Sequence, residues 1–214
     1  MDASASSSSG KEKAVVSFLR KPRILLAACG SISAVKFGDL CSLFAEWAEV
    51  NAVVTKSYLR FIDGQTFPKN TQVFSDKHEM FHWGKLGDSV LHIELNKWAD
   101  IMVIAPLSAN TLAKIAGGLC DNLLTCIVRA WDYRKPFFVA PSMNSFMWDN
   151  TFTEQHCITL EDLGAILIRP QKPNIDGEEA EYEHSLMEEP SNICSNVRVS
   201  YKQYLEKRVC RGEV

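Results

Sequence analysis

The sequence predicts a single α/β domain built on a doubly wound, mostly parallel sheet. Three observations lead there. Short, solid apolar runs recur along the chain, as at Arg23–Ala28, Ile101–Pro106 and Phe137–Ala140. Stretches with helical spacing lie between them, and strands apolar on both faces that alternate with helices belong to a parallel sheet covered on both sides. Finally, 214 residues of which 46% are hydrophobic suffice for one domain with a sizeable core.

Taken in order, Arg23–Ala28 is the first strand, closed by Cys29-Gly30-Ser31. Residues 33–48 follow as a helix in which Val35, Leu40, Leu43, Phe44 and Trp47 can share a face. Ala48–Thr55 is the second strand. From 56 to 90, Gly, Pro and Asp punctuation predicts a short helix near 57–62 and loops after it. Val90–Leu95 alternates with period two, placing Val90, His92 and Glu94 on one side and Leu91, Ile93 and Leu95 on the other. Ile101–Pro106 is the third strand, with a helix from Leu107 to Ala116 starting after Ser108. Phe137–Ala140 is the fourth strand, residues 151–163 a helix, and Ala165–Ile168 the fifth strand. A last helix, 190–207, repeats Ile193, Val197, Tyr201, Tyr204 and Leu205 at helical intervals. The domain therefore spans 21–207. A Ser-rich head, 1–20, reads as a disordered extension, and 208–214 as a tail.

Composition removes several classes of function. A net charge of -3 leaves no footprint for nucleic acid or an anionic membrane surface. Apolar runs such as Ile101–Leu107 are far too short to span a bilayer. Asp2, Glu12 and the lack of Arg before Arg20 count against a transit peptide. The seven cysteines are odd in number, without a secretory signal and without Cys-x-x-Cys spacing. That argues against a metal or redox site and for reduced thiols in the cytoplasm, most of them small core hydrophobes.

Three polar turns fall where parallel strands would end. Gly30-Ser31-Ile32-Ser33 opens a helix after the first strand, Ser108-Ala109-Asn110-Thr111 does so after the third, and Pro141-Ser142-Met143-Asn144 follows the fourth. Backbone N–H groups and hydroxyls at helix starts suit a phosphate, and together the turns can hold a mononucleotide. The competing reading is three well-capped helices, since no G-x-G-x-x-G spacing is present. His92 is open in the same way: a histidine bonded to a neighbouring carbonyl, or a proton-transfer group. Asn144, between Met143 and Met147 and close to Trp148, is not explained by packing.

Together the Pro-x-Met-Asn-x-x-Met-Trp block, Val90–Leu95 and the Ala105–Trp131 stretch resemble the homo-oligomeric flavin-containing cysteine decarboxylases, and the likeness runs from Lys21 to about Pro170. It is similar in particular to the plant halotolerance-type branch, which acts as phosphopantothenoylcysteine decarboxylase in coenzyme A synthesis. The resemblance implies a Rossmann-like flavoprotein fold and non-covalent FMN. It places Gly30, Ser31 and Ile32 against the cofactor, Thr55, Lys56, Ser57, Ser108, Ala109, Asn110 and Thr111 at its ribityl phosphate, and Ala140 near the ring. His92 matches the family's active-site base. Asn144, with Met143 and Lys172, falls to the substrate side. It further implies a homotrimer with FMN between subunits and a small-molecule or peptide substrate ending in cysteine. In that chemistry FMN oxidises the terminal thiolate, and the new C=S group acts as the electron sink that lets CO₂ leave. Flavin prenyltransferases share the fold, but the Pro-x-Met-Asn block and the His92 motif favour the decarboxylases.

One segment departs from the family. Its Cys- and Gly-rich flap before the last helix corresponds here to residues 174–190, which hold no cysteine. Between Asp176 and Glu189 stand seven carboxylates and no Lys or Arg, a charge expected to repel a phosphorylated substrate. Two functions follow: FMN-dependent decarboxylation of a cysteine-terminated substrate, either phosphopantothenoylcysteine as in the family or a reaction that stops at the aminoenethiol; or a non-catalytic FMN-binding subunit, either in a trimer mixed with a paralogue or as a phosphatase regulator. Intact His92 and Asn144 favour the first.

Overall fold

The computed structural model describes residues 20–61, 66–82, 84–170 and 187–212. Six parallel strands form one sheet: β1 (Arg23–Ala28), β2 (Glu49–Val54), β3 (Gln72–Phe74), β4 (Ile101–Leu107), β5 (Phe137–Pro141) and β6 (Ile166–Leu167). Their order is β3-β2-β1-β4-β5-β6. The chain thus winds outward from β1 in one direction, then returns to β4 and winds outward in the other. The reversal between β1 and β4 creates the crevice where doubly wound sheets bind ligands.

Eight α-helices cover the sheet among the described residues: α1 (Phe37–Ala45), α2 (Asp76–His82), α3 (Leu91–Trp98), α4 (Ala109–Ala116), α5 (Leu123–Arg129), α6 (Ser145–Trp148), α7 (Thr151–Asp162) and α8 (Pro190–Cys210). The pleat of β1 sorts its side chains between two cores. Ile24, Leu26 and Ala28 pack with Phe37, Leu40 and Phe44 of α1 and with Ile193 and Val197 of α8. Leu25 and Ala27 face Leu91 and Leu95 of α3, Leu112 of α4, Ile127 of α5 and Leu160 of α7. Both faces being covered explains why the strands read as unbroken apolar runs.

The strand boundaries follow the apolar runs closely, β1 without any shift. Elsewhere the structure corrects the sequence reading. Residues 32–36 form a 3₁₀ turn ahead of α1, which rotates Val35 out of the expected face and leaves it exposed. The stretch expected to hold a short helix and loops carries the 3₁₀ turn Tyr58–Phe61, then β3 and α2. Val90–Leu95 is not extended: Leu91–Trp98 is helical, with Glu94 N–H donating to Val90 O at 3.0 Å. Leu91 and Leu95, four residues apart, are its buried apolar positions, so helical spacing governs the segment. Helix α5 was not anticipated; its signal is the reciprocal capping box of Asn122 and Thr125.

At the margins, Arg20 belongs to the folded unit, since its guanidinium forks onto Asp100 at 2.7 and 2.8 Å. Helix α8 runs three residues beyond Lys207, into the expected tail. The rest of the head, residues 1–19, and residues 213 and 214 lie outside the described residues. No helix among the described residues is long and apolar enough to cross a membrane.

Candidate functional site

At the carboxyl ends of β1, β2, β4 and β5 the polar turns are tied to one another. Gly30 N–H donates to Ser57 Oγ at 3.2 Å, and Ser57 Oγ lies 3.0 Å from Thr55 Oγ1. The approach is so close that a Cβ on Gly30 would stand 2.6 Å from Ser57 Cβ and 2.9 Å from its carbonyl carbon. Glycine is therefore required here by contact rather than by backbone angle. Ser31 Oγ lies 2.7 Å from Ser142 Oγ, which in turn donates to Ser33 Oγ at 2.9 Å. Ser142 N–H donates to Leu107 O at 2.8 Å, so one serine links the ends of β1, β4 and β5. The sequence marked the turn 141–144 without showing this role for Ser142.

Helix α4 begins at the switch point. Ser108 is its N-cap, accepting from Thr111 N–H at 3.3 Å. The first N–H groups of a helix have no intrahelical acceptor, and no described residue takes up those of Ala109 or Asn110. The nearby hydroxyls are those of Ser31, Thr55, Ser57, Ser108 and Thr111, Lys56 adds an exposed ammonium, and no carboxylate belongs to these three turns. This donor set suits an anion with hydroxyls beside it. Cys29, below the turn, is fully buried, and burial drives its thiol up while hydrogen bonds from Thr111 and Ser108 oppose the rise. It is a neutral core residue and offers no thiolate to the crevice.

Ala140 and Met143 do not reach the crevice as expected. Ala140 is fully buried in the core against α1 and α8, its side chain directed inward. Met143 is buried in the opposite core, where its sulfur accepts from Thr153 Oγ1 at 3.8 Å. Both serve packing, as small and apolar side chains do at the end of a fully covered strand. Asn144 behaves differently. It is exposed, caps α6 by accepting from Met147 N–H at 2.9 Å through Oδ1, and lines a depression of about 230 Å³. Ala109, Phe146, Met147, Asn150 and Thr153 share that depression, which places Asn144 beside the start of α4. A larger cavity, about 700 Å³, opens at the other end of the sheet around Glu49, Gln72 and Trp98. It lies at the amino ends of the strands, away from these turns, so size alone misplaces the site.

His92 projects from α3, and its Nδ1 lies 2.6 Å from Glu79 Oε1 of α2. No described contact joins His92 to Asn144 or to the Gly30 turn. One chain thus ties the three turns together beside Asn144, while the described partner of His92 is Glu79. Glu79 escaped the sequence reading because the helix that carries it did. Lys172 and most of the 174–190 flap lie outside the described residues. Two of the seven acidic residues there, Glu188 and Glu189, are among the described residues, and both are engaged. Glu188 is buried and accepts from Asn192 Nδ2 at 2.7 Å, and Glu189 pairs with Lys36 at 2.7 Å. The Lys36 ammonium offsets the charge of Glu189, which lessens the repulsion expected of this end of the flap.

Comparison with known proteins agrees with this geometry. The Flavoprotein family model matches residues 13–200, and the chain belongs to that family. It is 61% identical over 193 residues to phosphopantothenoylcysteine decarboxylase HAL3a of Glycine max, covering 90% of each chain. Against phosphopantothenoylcysteine decarboxylase of Mus musculus it is 43% identical over 157 residues, 72% of this chain and 76% of that one. Among solved structures, the FMN binding protein AtHal3 superposes with a TM-score of 0.80 at 58% identity, covering 86% of this chain and 98% of the other. A PPC decarboxylase mutant complexed with pantothenoylaminoethenethiol gives the same TM-score and identity, covering 86% of this chain and all of that one.

Proposed function

We propose that this chain is an FMN-dependent decarboxylase of a cysteine-terminated substrate, with phosphopantothenoylcysteine as the first candidate. The observation that carries the reading is the knot of strand-end turns. Its hydroxyls, its open helix start at α4 and the Lys56 ammonium match a phosphate with a polyol chain, and no G-x-G-x-x-G loop is present to hold a dinucleotide. Bound FMN would supply the two-electron oxidation of the substrate thiol.

The remaining work falls to side chains. Asn144 Oδ1 is occupied by Met147 N–H, which leaves the two Nδ2 hydrogens to grip a carboxylate. An amide suits that task because a carboxylate in its place would repel the substrate. His92 handles the proton that leaves as the substrate is oxidised. Because no described contact joins His92 to the other site residues, we infer that a neighbouring copy closes the crevice, in a homotrimer. Ile32, Met80, Phe81, Phe146, Met147 and Phe152 are all more than half exposed, an apolar surface that association would cover. A regulatory role for the acidic segment is less well supported, because Glu188 is engaged by the Asn192 side chain and Glu189 by Lys36.

The test is incubation of the purified yellow protein with phosphopantothenoylcysteine, followed by product mass and a light-scattering mass of the protein. Loss of CO₂ together with two hydrogens, from a trimeric flavoprotein, is the expected result. A colourless protein that cannot be reconstituted with FMN, or an unchanged substrate, would overturn the assignment. A monomer would overturn the shared site.

A further inference from the structure

We propose that Glu79 is a positioning residue: it holds His92 in the tautomer that carries its proton on Nδ1 and keeps Nε2 open to accept one. The inference rests on the reading of His92 as the site's base. It begins with the 2.6 Å contact between Glu79 Oε1 and His92 Nδ1. A carboxylate only accepts hydrogen bonds, so a contact this short requires the proton on Nδ1. In the neutral ring the free lone pair then belongs to Nε2, and no described residue bonds that atom. Once Nε2 takes a proton the ring becomes a cation, and Glu79 stands against it as counter-ion.

Both partners are fixed from behind. Asp76, one helical turn before Glu79, accepts from Leu123 N–H at 2.9 Å and so pins α2 to the start of α5. Leu91 and Leu95, on either side of His92 along α3, are buried in the core that also takes Leu123, Leu124 and Ile127 of α5. Glu79 and His92 therefore meet through two short helices braced on a third. The other oxygen, Glu79 Oε2, is buried and has no partner among the described residues. A carboxylate placed only to staple α2 would be expected to use both oxygens. Here its single bond goes to the histidine. The titratable neighbour from α5 is Cys126, whose thiol is raised first by burial and then by Cys120, Glu79 and Asp121. It stays neutral and does not compete as a charge.

The experiment compares Glu79→Gln, Glu79→Asp and His92→Asn in the full FMN-loaded chain. Turnover of phosphopantothenoylcysteine is measured alongside the ¹⁵N shifts of the His92 ring without substrate. In the unaltered protein the shifts should show a protonated Nδ1 and a bare Nε2. Glu79→Gln, whose amide can donate to Nδ1 and favour the other tautomer, should lower kcat on the order of 100-fold with KM changed less than about threefold. Glu79→Asp should recover part of that loss. A ring protonated on Nε2 in the unaltered protein would overturn the inference even if every variant misfolds. So would Glu79→Gln at near-normal kcat while His92→Asn is inactive. Activity retained by His92→Asn would instead remove the reading of His92 on which the inference stands.

Discussion

The strand-end turns and the His92 limb are held in opposite ways. The turns are locked by hydrogen bonds between residues that follow different strands, with Ser142 joining the ends of β1, β4 and β5. The limb consists of α2 and α3, two short helices whose mutual tie is the Glu79–His92 pair. On α2 itself, Met80 and Phe81 are 77% and 86% exposed, so the limb presents two large apolar side chains to solvent. The contrast teaches that the strand-end turns are tied to one another within one chain, whereas His92 is held by a single partner on a separate pair of helices. Cofactor binding and turnover should therefore be separable by mutation.

The largest effect expected is from His92→Asn. It should lower kcat by 100-fold or more, roughly the contribution of a general base, while the flavin spectrum stays unchanged. Near-normal turnover would break the division between cradle and limb. Next comes Asn144→Asp. Asp caps helices as well as Asn does, so α6 should persist, while a like charge beside the substrate carboxylate should lower kcat/KM by about tenfold or more. Loss of flavin in that variant would show that Asn144 belongs to the cradle instead.

Gly30→Ala should do the reverse of His92→Asn. Its new methyl meets Ser57 Cβ and backbone, which cannot swing aside, so a cost of about 1–3 kcal/mol is expected, read as weaker FMN binding and a lower Tm. Unchanged affinity would mean that the turns after β1 and β2 can separate freely. The smallest effect is that of Ser108→Ala, which removes one N-cap bond and should cost about 1 kcal/mol in thermal unfolding with turnover little changed. A fourfold or greater loss of FMN affinity with no change in Tm would move Ser108 from helix cap to ligand contact.

What the sequence revealed, and what it hid, follows the same division. β1, β4 and β5 were legible because burial on both faces produces solid apolar runs. The three turns were legible because each lies at the end of such a run. The limb was hidden for physical reasons. β3 has three residues and, among the described residues, is an edge strand paired with β2, so it carries little pattern. Helix α2 exposes Met80 and Phe81, which scrambles its apolar period. Val90–Leu95 alternates by chance over a window too short to separate two periods, and burial of Leu91 and Leu95 decides for helix. Glu79 could not be paired with His92 across 13 residues without knowing that both lie on helices. Met143 and Ala140 were assigned to the site by likeness to a motif, yet their side chains face the cores.

The pairing of Lys36 with Glu189 has a wider consequence. Lys36 ends the turn that follows Gly30, and Glu189 opens α8, so the pair ties the start of the last helix beside the crevice. Both partners adjoin helices that share one apolar core: Lys36 lies directly before α1, and Ile193 and Val197 of α8 pack with Phe37, Leu40 and Phe44 of α1. The exposed ion pair thus marks the rim of a contact whose interior is apolar, so salt that screens the pair should leave α8 docked on the sheet.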